Sequence, residues 1–554
     1  MTRAIGAACV SAPRRVSVWR EVARPRPPPP SQNLARCRAS HRWVRWCAVP
    51  THAEGPPGPA ESTSPVDEER ADRSSVPEAL KPRKVLVIAG PTAVGKTRLS
   101  LSVARALGGE VVSADSVQVF EGLDVGSSKL PEAEREGIKH HLLDIADPRR
   151  DVGAGEFVEK AWAAMDDVLR RGKTPVVVGG TGMYLRWLIE GKPDTPPSSP
   201  EASALARATL RRVAGEAAAV AARAARDALR PDEGGSLDAA SLERVRLAGE
   251  LAGWRAAMRV LSEAGDATAA TRLARNDWYR AERALEVVTS TGKPVTEFGA
   301  PTLAGREKKY DFVCVALSSP RIRLYRRIDA RVEEMVRDGM LAESAAMLLS
   351  GIEPGSTPAS RAIGYRQTMD FLVEQSALSA SSEKKNDDDG TATGTRLCEH
   401  AAFLAYVEET QRATRAFAKR QFTWFRGEKE GRYRWLDTSR MPDDAKSPDA
   451  LARATLDLFA LGPPPETASS GDAPRDGDGA VFGDWDAEAL NRLAALTDVS
   501  RGATDHETAR ELKRYAPRQT VFVDPAASQR TRREVDALAE KIRKAASERQ
   551  RARR

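Results

Sequence analysis

A glycine-rich segment that ends in a lysine and a threonine carries the clearest chemistry in this sequence. It matches the pattern Gly-x-x-x-x-Gly-Lys-Thr and consists of Gly90, Pro91, Thr92, Ala93, Val94, Gly95, Lys96 and Thr97. Glycines let the backbone curl around a phosphate, the lysine reaches phosphate oxygens, and the threonine hydroxyl can hold Mg²⁺. The segment therefore predicts a polyphosphate site, without indicating which polyphosphate binds there.

An acidic residue follows the next apolar run, in the segment Asp115-Ser116-Val117-Gln118. A carboxylate beside a phosphate site can accept a proton or help to hold Mg²⁺. Asp and Ser are also common caps of the element that follows them. The spacing alone leaves these two interpretations of Asp115 equally open.

Three more polar residues are candidates for binding a ligand. Thr181 follows a pair of glycines at the end of an apolar run. Arg280 and Arg283 are three apart in a helical pattern, so they share a face that suits a pyrophosphate or an RNA backbone. The adjacent His140 and His141 lack a second cluster of ligand residues, and we interpret them as packing residues rather than as a metal site.

These residues need a scaffold, and the apolar pattern predicts one. Short β-branched runs such as VLVI and VVV alternate with helical patterns. This alternation predicts an α/β fold, with a parallel sheet like that of P-loop NTPases. Ligands bind at the carboxyl ends of the strands in such sheets. We therefore expect Gly90, Asp115 and Thr181 to lie at one edge.

Composition sets the class of the protein. The chain has 554 residues, 41% of them hydrophobic, and a net charge of +8. It can bury a core, but the mild basic excess does not establish a nucleic-acid partner. Five scattered cysteines indicate neither a disulfide framework nor a zinc site. No apolar run is long enough to span a bilayer, so we expect no membrane partner.

The first fifty residues have the composition of a targeting segment. They contain ten arginines and one acid, Glu21, and a run of four prolines lies at Pro27–Pro30 within the same stretch. An arginine-rich, acid-poor start is typical of organelle transit peptides. We predict import into the chloroplast or the mitochondrion, which this composition does not separate. The alternative is a disordered basic tail on a cytoplasmic protein.

Several motifs in one order resemble those of the tRNA dimethylallyltransferase (isopentenyltransferase) family. They are GPTAVGKT, SADSVQVF with EGLDVGSSK, HHLLDI, VVVGGTGMYL, NDWYRAERALEV with TGKP, AIGYRQ and TRAFAKRQFTWFR. The resemblance spans residues 84 to 437. It implies transfer of a dimethylallyl group from dimethylallyl diphosphate to N6 of the adenosine just 3′ of the anticodon in tRNA. It also implies that the phosphate loop holds the prenyl diphosphate.

The resemblance implies a role for each candidate residue. Asp115 would be the general base, while Lys96, Thr97 with Mg²⁺, and Arg283 would stabilise the departing pyrophosphate. Thr181 would lie in the substrate channel. The tRNA would be contacted by the segment Asp115, Ser116, Val117 and Gln118 and by Arg280 and Arg283. The family's Gln-Arg-x-x-Arg motif reads Tyr279-Arg-Ala-Glu-Arg here, so Tyr279 replaces the glutamine.

The segment composition and the resemblance together predict a domain order, with a monomer expected. Residues 200–275 form a helical insertion whose arginines, taken alone, are explained as well by a solvated charged face. The resemblance makes this insertion the tRNA-binding domain. The predicted order is 1–80 transit peptide and disordered linker, 81–199 first part of the P-loop catalytic core, 200–275 insertion, 276–460 second part of the core with a low-complexity insert at 379–395, 461–529 linker, and 530–554 charged C-terminal helix.

Two other functions remain open at the level of the sequence. An adenylate isopentenyltransferase would prenylate free AMP, ADP or ATP, and it belongs to a related family. The segment Asp115–Gln118, the large insertion and the motif TRAFAKRQFTWFR favour tRNA over a free nucleotide. A phosphate-loop nucleotide kinase, or an RNA-binding protein without chemistry, is the third possibility.

Overall fold

The structure is a computed structural model, and it describes most of the chain after the predicted transit segment. The described residues are 83–229, 237–298, 309–386, 398–429, 431–440, 449–462, 493, 497, 500, 504–517, 520–523 and 525–552. The predicted transit peptide and linker at 1–80 lie outside them. None of the described helices is long and apolar enough to cross a bilayer.

A six-stranded parallel sheet forms the centre of the fold, as the sequence predicts. Its strand order is β3-β2-β4-β1-β5-β6, and all neighbouring strands pair in parallel. The strands are β1 Arg83–Ala89, β2 Glu110–Ser113, β3 His140–His141, β4 Pro175–Gly179, β5 Tyr310–Ser318 and β6 Arg434–Asp437. The apolar residues Val85–Ala89 are fully buried, because helices cover both faces of such a sheet.

The register of the sheet brings three chain segments to one edge. Ala89, the last residue of β1, pairs with Gly179, the last residue of β4. Ser113 at the end of β2 pairs with Val178. The segments that follow β1, β4 and β2 therefore leave the sheet side by side, which confirms the predicted α/β arrangement.

Fifteen α-helices surround the sheet or extend from it within the described residues. In the core they are α1 Lys96–Ala106, α2 Ala154–Arg170, α3 Gly182–Glu190, α8 Arg321–Met335, α9 Leu341–Leu349, α10 Pro358–Arg361, α11 Tyr365–Asn386, α12 His400–Arg426 and α13 Asp449–Leu461. In the insertion and its flank they are α4 Pro200–Ala228, α5 Ala239–Glu263, α6 Ala267–Arg272 and α7 Trp278–Thr291. Two follow the core, α14 His506–Lys513 and α15 Pro525–Ala552.

The helical insertion is built on a long pair of helices, α4 and α5. The Ser199 side chain accepts a hydrogen bond from Ala202 N–H at the start of α4, and Asp238 does the same for Ser241 at the start of α5. Both are favourable N-cap residues. A Cβ on Gly253 would lie 2.8 Å from the Ala214 carbonyl oxygen, so the absence of a side chain lets the two helices pack closely.

A second hydrophobic core lies beside the helices α9, α11 and α12. It includes Phe120, Tyr365 and Phe403, and it also takes in Phe522 and Ile542 from the C-terminal part of the chain. Within 461–529, which the sequence assigns to a linker, the structure thus contains α14 and the buried Phe522. The last helix spans Pro525–Ala552, where the sequence predicts a charged helix at 530–554. Its buried apolar stripe includes Val535 and Ala539.

The end of α11 differs from the sequence prediction. The sequence indicates a low-complexity insert at 379–395, a composition that predicts a surface loop. The helix α11 continues to Asn386, so residues 379–386 are helical. The segment SASSEKKN contains Ala, Glu and Lys, which are good helix formers, and it extends a helix that is already formed. Residues 387–397 lie outside the described part of the chain.

Candidate active site

The phosphate loop between β1 and α1 has a backbone that two glycines make possible. Gly90 has φ +143°, and a Cβ there would lie 2.9 Å from the Leu317 carbonyl oxygen. Gly95 has φ +108° and caps the N-terminus of α1. Side chains are strained in this region of φ. The free N–H groups and positive dipole end of α1 therefore face the loop, which is an arrangement that binds anions.

Lys96, the first residue of α1, lies inside the site. Its Nζ donates a hydrogen bond to the Pro91 carbonyl oxygen at 2.8 Å, so the side chain folds back over the loop. Burial lowers the pKa of Lys96 to about 8, and the negative charge of Asp115 opposes this shift. The Asp115 carboxylate is therefore near enough to act on the Lys96 ammonium.

Asp115 lies two residues beyond β2, with its side chain half-buried. Its Oδ1 accepts hydrogen bonds from the N–H groups of Val117 at 2.9 Å and Gln118 at 3.4 Å. The carboxylate thus caps a turn, since no helix begins there. Among the described residues, no donor is hydrogen-bonded to its Oδ2. One oxygen holds the turn, and the other is available to accept a proton.

Thr181 joins the end of β4 to the Asp115 turn. Its Oγ1 accepts a hydrogen bond from the Ser116 N–H at 3.1 Å and lies 3.3 Å from the Ser116 Oγ. The Thr181 N–H donates to the Ala114 carbonyl oxygen at 3.4 Å. The hydroxyl therefore fixes the residue that follows Asp115, at the edge of the sheet where the sequence placed it.

Gln421 of α12 completes a continuous hydrogen-bonded path across the site. Its Oε1 accepts from the Thr92 N–H at 2.9 Å, and its Nε2 donates to the Gly180 carbonyl oxygen at 3.0 Å. With the Thr181–Ser116 contact, this path connects the phosphate loop to the Asp115 turn. In the sequence, Gln421 stands out only as part of the motif TRAFAKRQFTWFR, which gives it no role of its own.

The side chain of Gln118 forms hydrogen bonds with residues close to it in the sequence. Its Oε1 accepts from the Ser113 hydroxyl at 2.9 Å, and its Nε2 donates to the Ser127 and Ser128 carbonyl oxygens at 3.2 and 3.3 Å. The amide holds the 127–128 segment close to β2. The structure therefore shows Gln118 supporting the wall of the site, with Val117 half-buried beside it.

The two arginines of α7 occupy different environments. Arg283 forms an ion pair with Glu286 at 2.8 Å and donates to the Pro196 carbonyl oxygen. Arg280 is exposed and pairs with Asp277 at 2.9 Å. No described contact joins either arginine to Lys96. Arg283 is therefore held at the junction between the insertion and the core.

Sequence reasoning missed Arg331, which α8 directs into the site. Its Nε donates to the Ser128 Oγ at 2.9 Å, and its Nη1 lies 3.4 Å from the Thr92 Oγ1. The positive charge of Arg331 contributes to the lowered pKa of Lys96. The sequence carries no local signal for this contact, because α8 contains several arginines and Arg331 is 239 residues from Thr92.

The residues present fit a Mg²⁺ that arrives with a diphosphate. The Thr97 side chain is exposed in the first turn of α1. In the described part of the chain, no group of three or more His, Cys, Asp or Glu could hold a metal ion. Mg²⁺ commonly binds through one or two protein oxygens, with phosphate oxygens and water completing its six ligands. Thr97 can supply such an oxygen.

Comparison with known proteins identifies the family. The family model described as IPP transferase matches residues 118–248 and 232–428, which together are more than half of the chain. This chain belongs to the IPP transferase family. The resemblance seen in the sequence is thereby confirmed. The matched range of the IPP transferase model begins at Gln118, just after the phosphate loop and Asp115.

Curated relatives of this IPP transferase are tRNA dimethylallyltransferases by name. The protein named tRNA dimethylallyltransferase 9 of Arabidopsis thaliana is 38% identical over 389 residues, covering 65% of this chain and 72% of that protein. The tRNA dimethylallyltransferase of Anaeromyxobacter dehalogenans is 35% identical, covering 67% and 98%. A solved structure, the tRNA isopentenylpyrophosphate transferase of Bacillus halodurans, is 28% identical with a TM-score of 0.37, covering 64% and 90%.

Proposed function

We propose that this IPP transferase transfers the dimethylallyl group of dimethylallyl diphosphate to N6 of the adenosine 3′-adjacent to the anticodon of a tRNA. Family membership and the names of the relatives support the reaction class. The observation that carries the proposal is the hydrogen-bonded path through Gln421 and Thr181, which joins the phosphate loop and its cation Lys96 to the turn that bears the Asp115 carboxylate. Prenyl transfer to an amine needs a cation to stabilise the leaving diphosphate and a carboxylate to accept the proton of the amine.

Departure of the diphosphate is the first requirement of this reaction. The allylic C–O bond breaks and its electron pair stays on the diphosphate oxygen, so negative charge grows at the phosphate loop. The Lys96 ammonium and the N-terminus of α1 stabilise that charge. Thr97 would hold Mg²⁺, which neutralises phosphate charge when bound. Arg283 enters the proposal through the family resemblance, as a further cation for the diphosphate.

Attack by the adenine amine is the second requirement. The N6 lone pair forms the new C–N bond, and a proton must leave the nitrogen as its positive charge develops. Asp115 accepts that proton at Oδ2, while Oδ1 keeps the turn in place. Thr181 and Ser116 border the same turn, and we propose that they line the adenine channel. The adenine must leave its stack to enter it.

The helical insertion supplies the surface for the tRNA. Six exposed arginines of α4 and α5 form no ion pair with any described residue. They are Arg211, Arg223, Arg226, Arg244, Arg255 and Arg259. Arginines without a bound carboxylate on one pair of helices suit a phosphate backbone. With the reaction proposed, this basic surface is better explained by tRNA binding than by a solvated face alone.

Transfer of a labelled prenyl group tests the function directly. The chain from residue 81 onward is incubated with dimethylallyl diphosphate labelled in the prenyl group, Mg²⁺, and either undermodified tRNA or AMP, ADP and ATP. We expect label in tRNA and none in the free nucleotides. Label in a free nucleotide would establish the adenylate isopentenyltransferase alternative instead. Label in neither would point to the kinase or to an RNA-binding protein without chemistry.

We also propose import into the chloroplast or mitochondrion, on the composition of residues 1–80. A fusion of these residues to a fluorescent protein tests this in plant cells. Co-localisation with one organelle supports import and tells the two apart. Uniform cytoplasmic fluorescence would contradict it and favour the cytoplasmic alternative.

A further inference from the structure

Arg331 crosses from α8 to the phosphate loop and meets hydroxyls there. Its Nε donates to the Ser128 Oγ at 2.9 Å and its Nη1 approaches the Thr92 Oγ1 at 3.4 Å. Thr92 is a member of the phosphate loop, and Ser128 belongs to the segment that Gln118 holds against β2. The guanidinium thus lies between the loop and the wall of the Asp115 turn.

Two other half-buried arginines of the fold are paired with carboxylates. Arg415 forms an ion pair with Asp329, and Arg432 forms ion pairs with Glu190 and Glu428. No described residue forms an ion pair with Arg331. A cation removed from water without a counter-charge is costly. The site therefore has a place for an anion that the chain itself does not supply.

The charge on Arg331 acts on Lys96, and the charge of Asp115 acts on both cations. Burial lowers the pKa of Arg331, and the charges of Asp115 and then Glu334 act in the opposite direction. Arg331 in turn depresses the pKa of Lys96. Glu334 is exposed, so water and salt screen its charge. Two cations and one half-buried carboxylate leave an excess of positive charge next to the phosphate loop, which a ligand with several negative charges would balance.

We infer that Arg331 is a further diphosphate-binding residue, whose guanidinium donates hydrogen bonds to non-bridging oxygens of the allylic diphosphate. This inference rests on the proposed function and adds a residue to its site. When the allylic C–O bond breaks, the electron pair passes to the diphosphate, and Arg331 stabilises the added charge without transferring a proton. The planar guanidinium suits two phosphate oxygens at once.

Binding of inorganic pyrophosphate provides the test. Titration calorimetry with Mg²⁺ is performed on the full chain, as the parent protein and as the variants Arg331→Gln and Arg326→Gln. Arg326 is exposed on the same helix and serves as the charge-matched control. We expect Arg331→Gln to weaken pyrophosphate binding about 10- to 100-fold, to raise KM for dimethylallyl diphosphate, and to leave tRNA affinity unchanged. Arg326→Gln should match the parent.

The outcomes separate the inference from the proposed function. Equal pyrophosphate affinity in Arg331→Gln and the parent would overturn the role of Arg331 while prenyl transfer by the parent still stood. Equal loss of pyrophosphate and tRNA binding would also overturn it, because the residue would then only support the fold. A parent protein that transfers no prenyl group would instead refute the function on which the inference rests.

A measurement on the unaltered protein covers the case in which Arg331→Gln fails to fold. Phenylglyoxal modifies arginine side chains, and mass spectrometry can follow its reaction at Arg331 and Arg326. We expect pyrophosphate with Mg²⁺ to slow modification of Arg331 and to leave Arg326 unaffected. An Arg331 reaction rate that pyrophosphate does not change would contradict the contact.

Discussion

Gln421 accepts a hydrogen bond from Thr92 across 329 residues of sequence. Because the other end of the same amide donates to Gly180, this side chain sets the separation between the phosphate loop and the end of β4. The distance between the diphosphate and the adenine channel depends on that separation in the proposed reaction. Misplacement of reacting groups by a small amount has a large effect on rate.

Replacement of Gln421 by alanine should therefore slow prenyl transfer more than it weakens binding. We expect kcat to fall by about 100-fold, with tRNA affinity close to that of the parent. Gln421→Glu keeps an acceptor for the Thr92 N–H but places a carboxylate against the Gly180 carbonyl oxygen and beside the phosphate loop, so it should be no more active than Gln421→Ala. Steady-state kinetics with both substrates would check this. A kcat unaffected by the alanine change would show that the bridge is dispensable.

Asp115→Asn distinguishes the two roles that the sequence leaves open. Asparagine keeps an oxygen that can accept the hydrogen bonds from Val117 and Gln118, but it cannot accept the amine proton. We expect single-turnover prenyl transfer to fall by about 100- to 10,000-fold, while tRNA affinity and the thermal unfolding midpoint stay near the parent values. A residue that only capped the turn would tolerate asparagine, and transfer at the parental rate would establish that role instead.

Lys96 should make diphosphate binding sensitive to pH in the weakly alkaline range. Its pKa is lowered to about 8, so the free protein has lost much of this charge above that pH. Above pH 8, Lys96 must take up a proton before it can bind the anion. The affinity for pyrophosphate should therefore fall by up to about tenfold per pH unit in that range. Below pH 8 this group should contribute no pH dependence.

Calorimetry across that range, with Lys96→Arg as the control, measures the effect. Arginine stays protonated, so its variant should lack the part of the pH dependence that comes from Lys96. The same alkaline decline in both proteins would assign it to the ligand or to another group.

The exposed arginines of α5 should affect tRNA binding and not the prenyl donor. Arg255 and Arg259 are four residues apart, so they share a helix face. We expect the double change to alanine to raise KM for tRNA several-fold. The slope of tRNA affinity against salt concentration should become shallower by about one unit for each arginine that no longer neutralises a phosphate. KM for dimethylallyl diphosphate should not change.

The basic C-terminal helix α15 provides a control that removes the same positive charge outside the insertion. Arg530 and Arg533 of α15 are also exposed, and their double replacement by alanine removes the same charge. Filter binding at several salt concentrations compares the two double variants. An equal effect of both would mean that general positive charge, rather than the insertion, attracts the tRNA.

Glu333 should be important for stability through the C-terminal segment. Its carboxylate is fully buried and accepts hydrogen bonds from the N–H groups of Thr520, Val521 and Phe522, two of them at 2.9 and 2.6 Å. Glu333→Ala leaves these donors unpaired, so we expect the free energy of unfolding to fall by about 2–5 kcal/mol. Urea denaturation measures it. Glu334→Ala removes the exposed carboxylate of the next residue, and it should lower the free energy of unfolding far less.

Local patterns account for the parts of the site that the sequence could predict. The phosphate loop, Asp115 and Thr181 each follow an apolar strand directly, and parallel strands bring their carboxyl ends together. Gln421 and Arg331 reach the site from helices far along the chain. Nothing in their immediate neighbours indicates which face of α12 or α8 is turned inward.

The C-terminal part of the chain shows another limit of prediction from the sequence. Its composition, rich in charge with few apolar residues, suggests a linker followed by a solvated helix. The contacts of Phe522 with Phe403 and of Asp536 with the Cys398 N–H depend on partners more than a hundred residues away. A spaced stripe such as Val535, Ala539 and Ile542 is the one feature of the sequence that could have indicated burial.

The burial of α15 has a practical consequence for producing the protein. A recombinant fragment that stops at residue 428, where the family match ends, would uncover the apolar surfaces of Phe403 and its neighbours in the second hydrophobic core. Since Phe120, which follows the Asp115 turn, belongs to that same core, such a fragment should precipitate or purify without activity. Expression should instead retain the chain through residue 552, with any affinity tag placed ahead of residue 81.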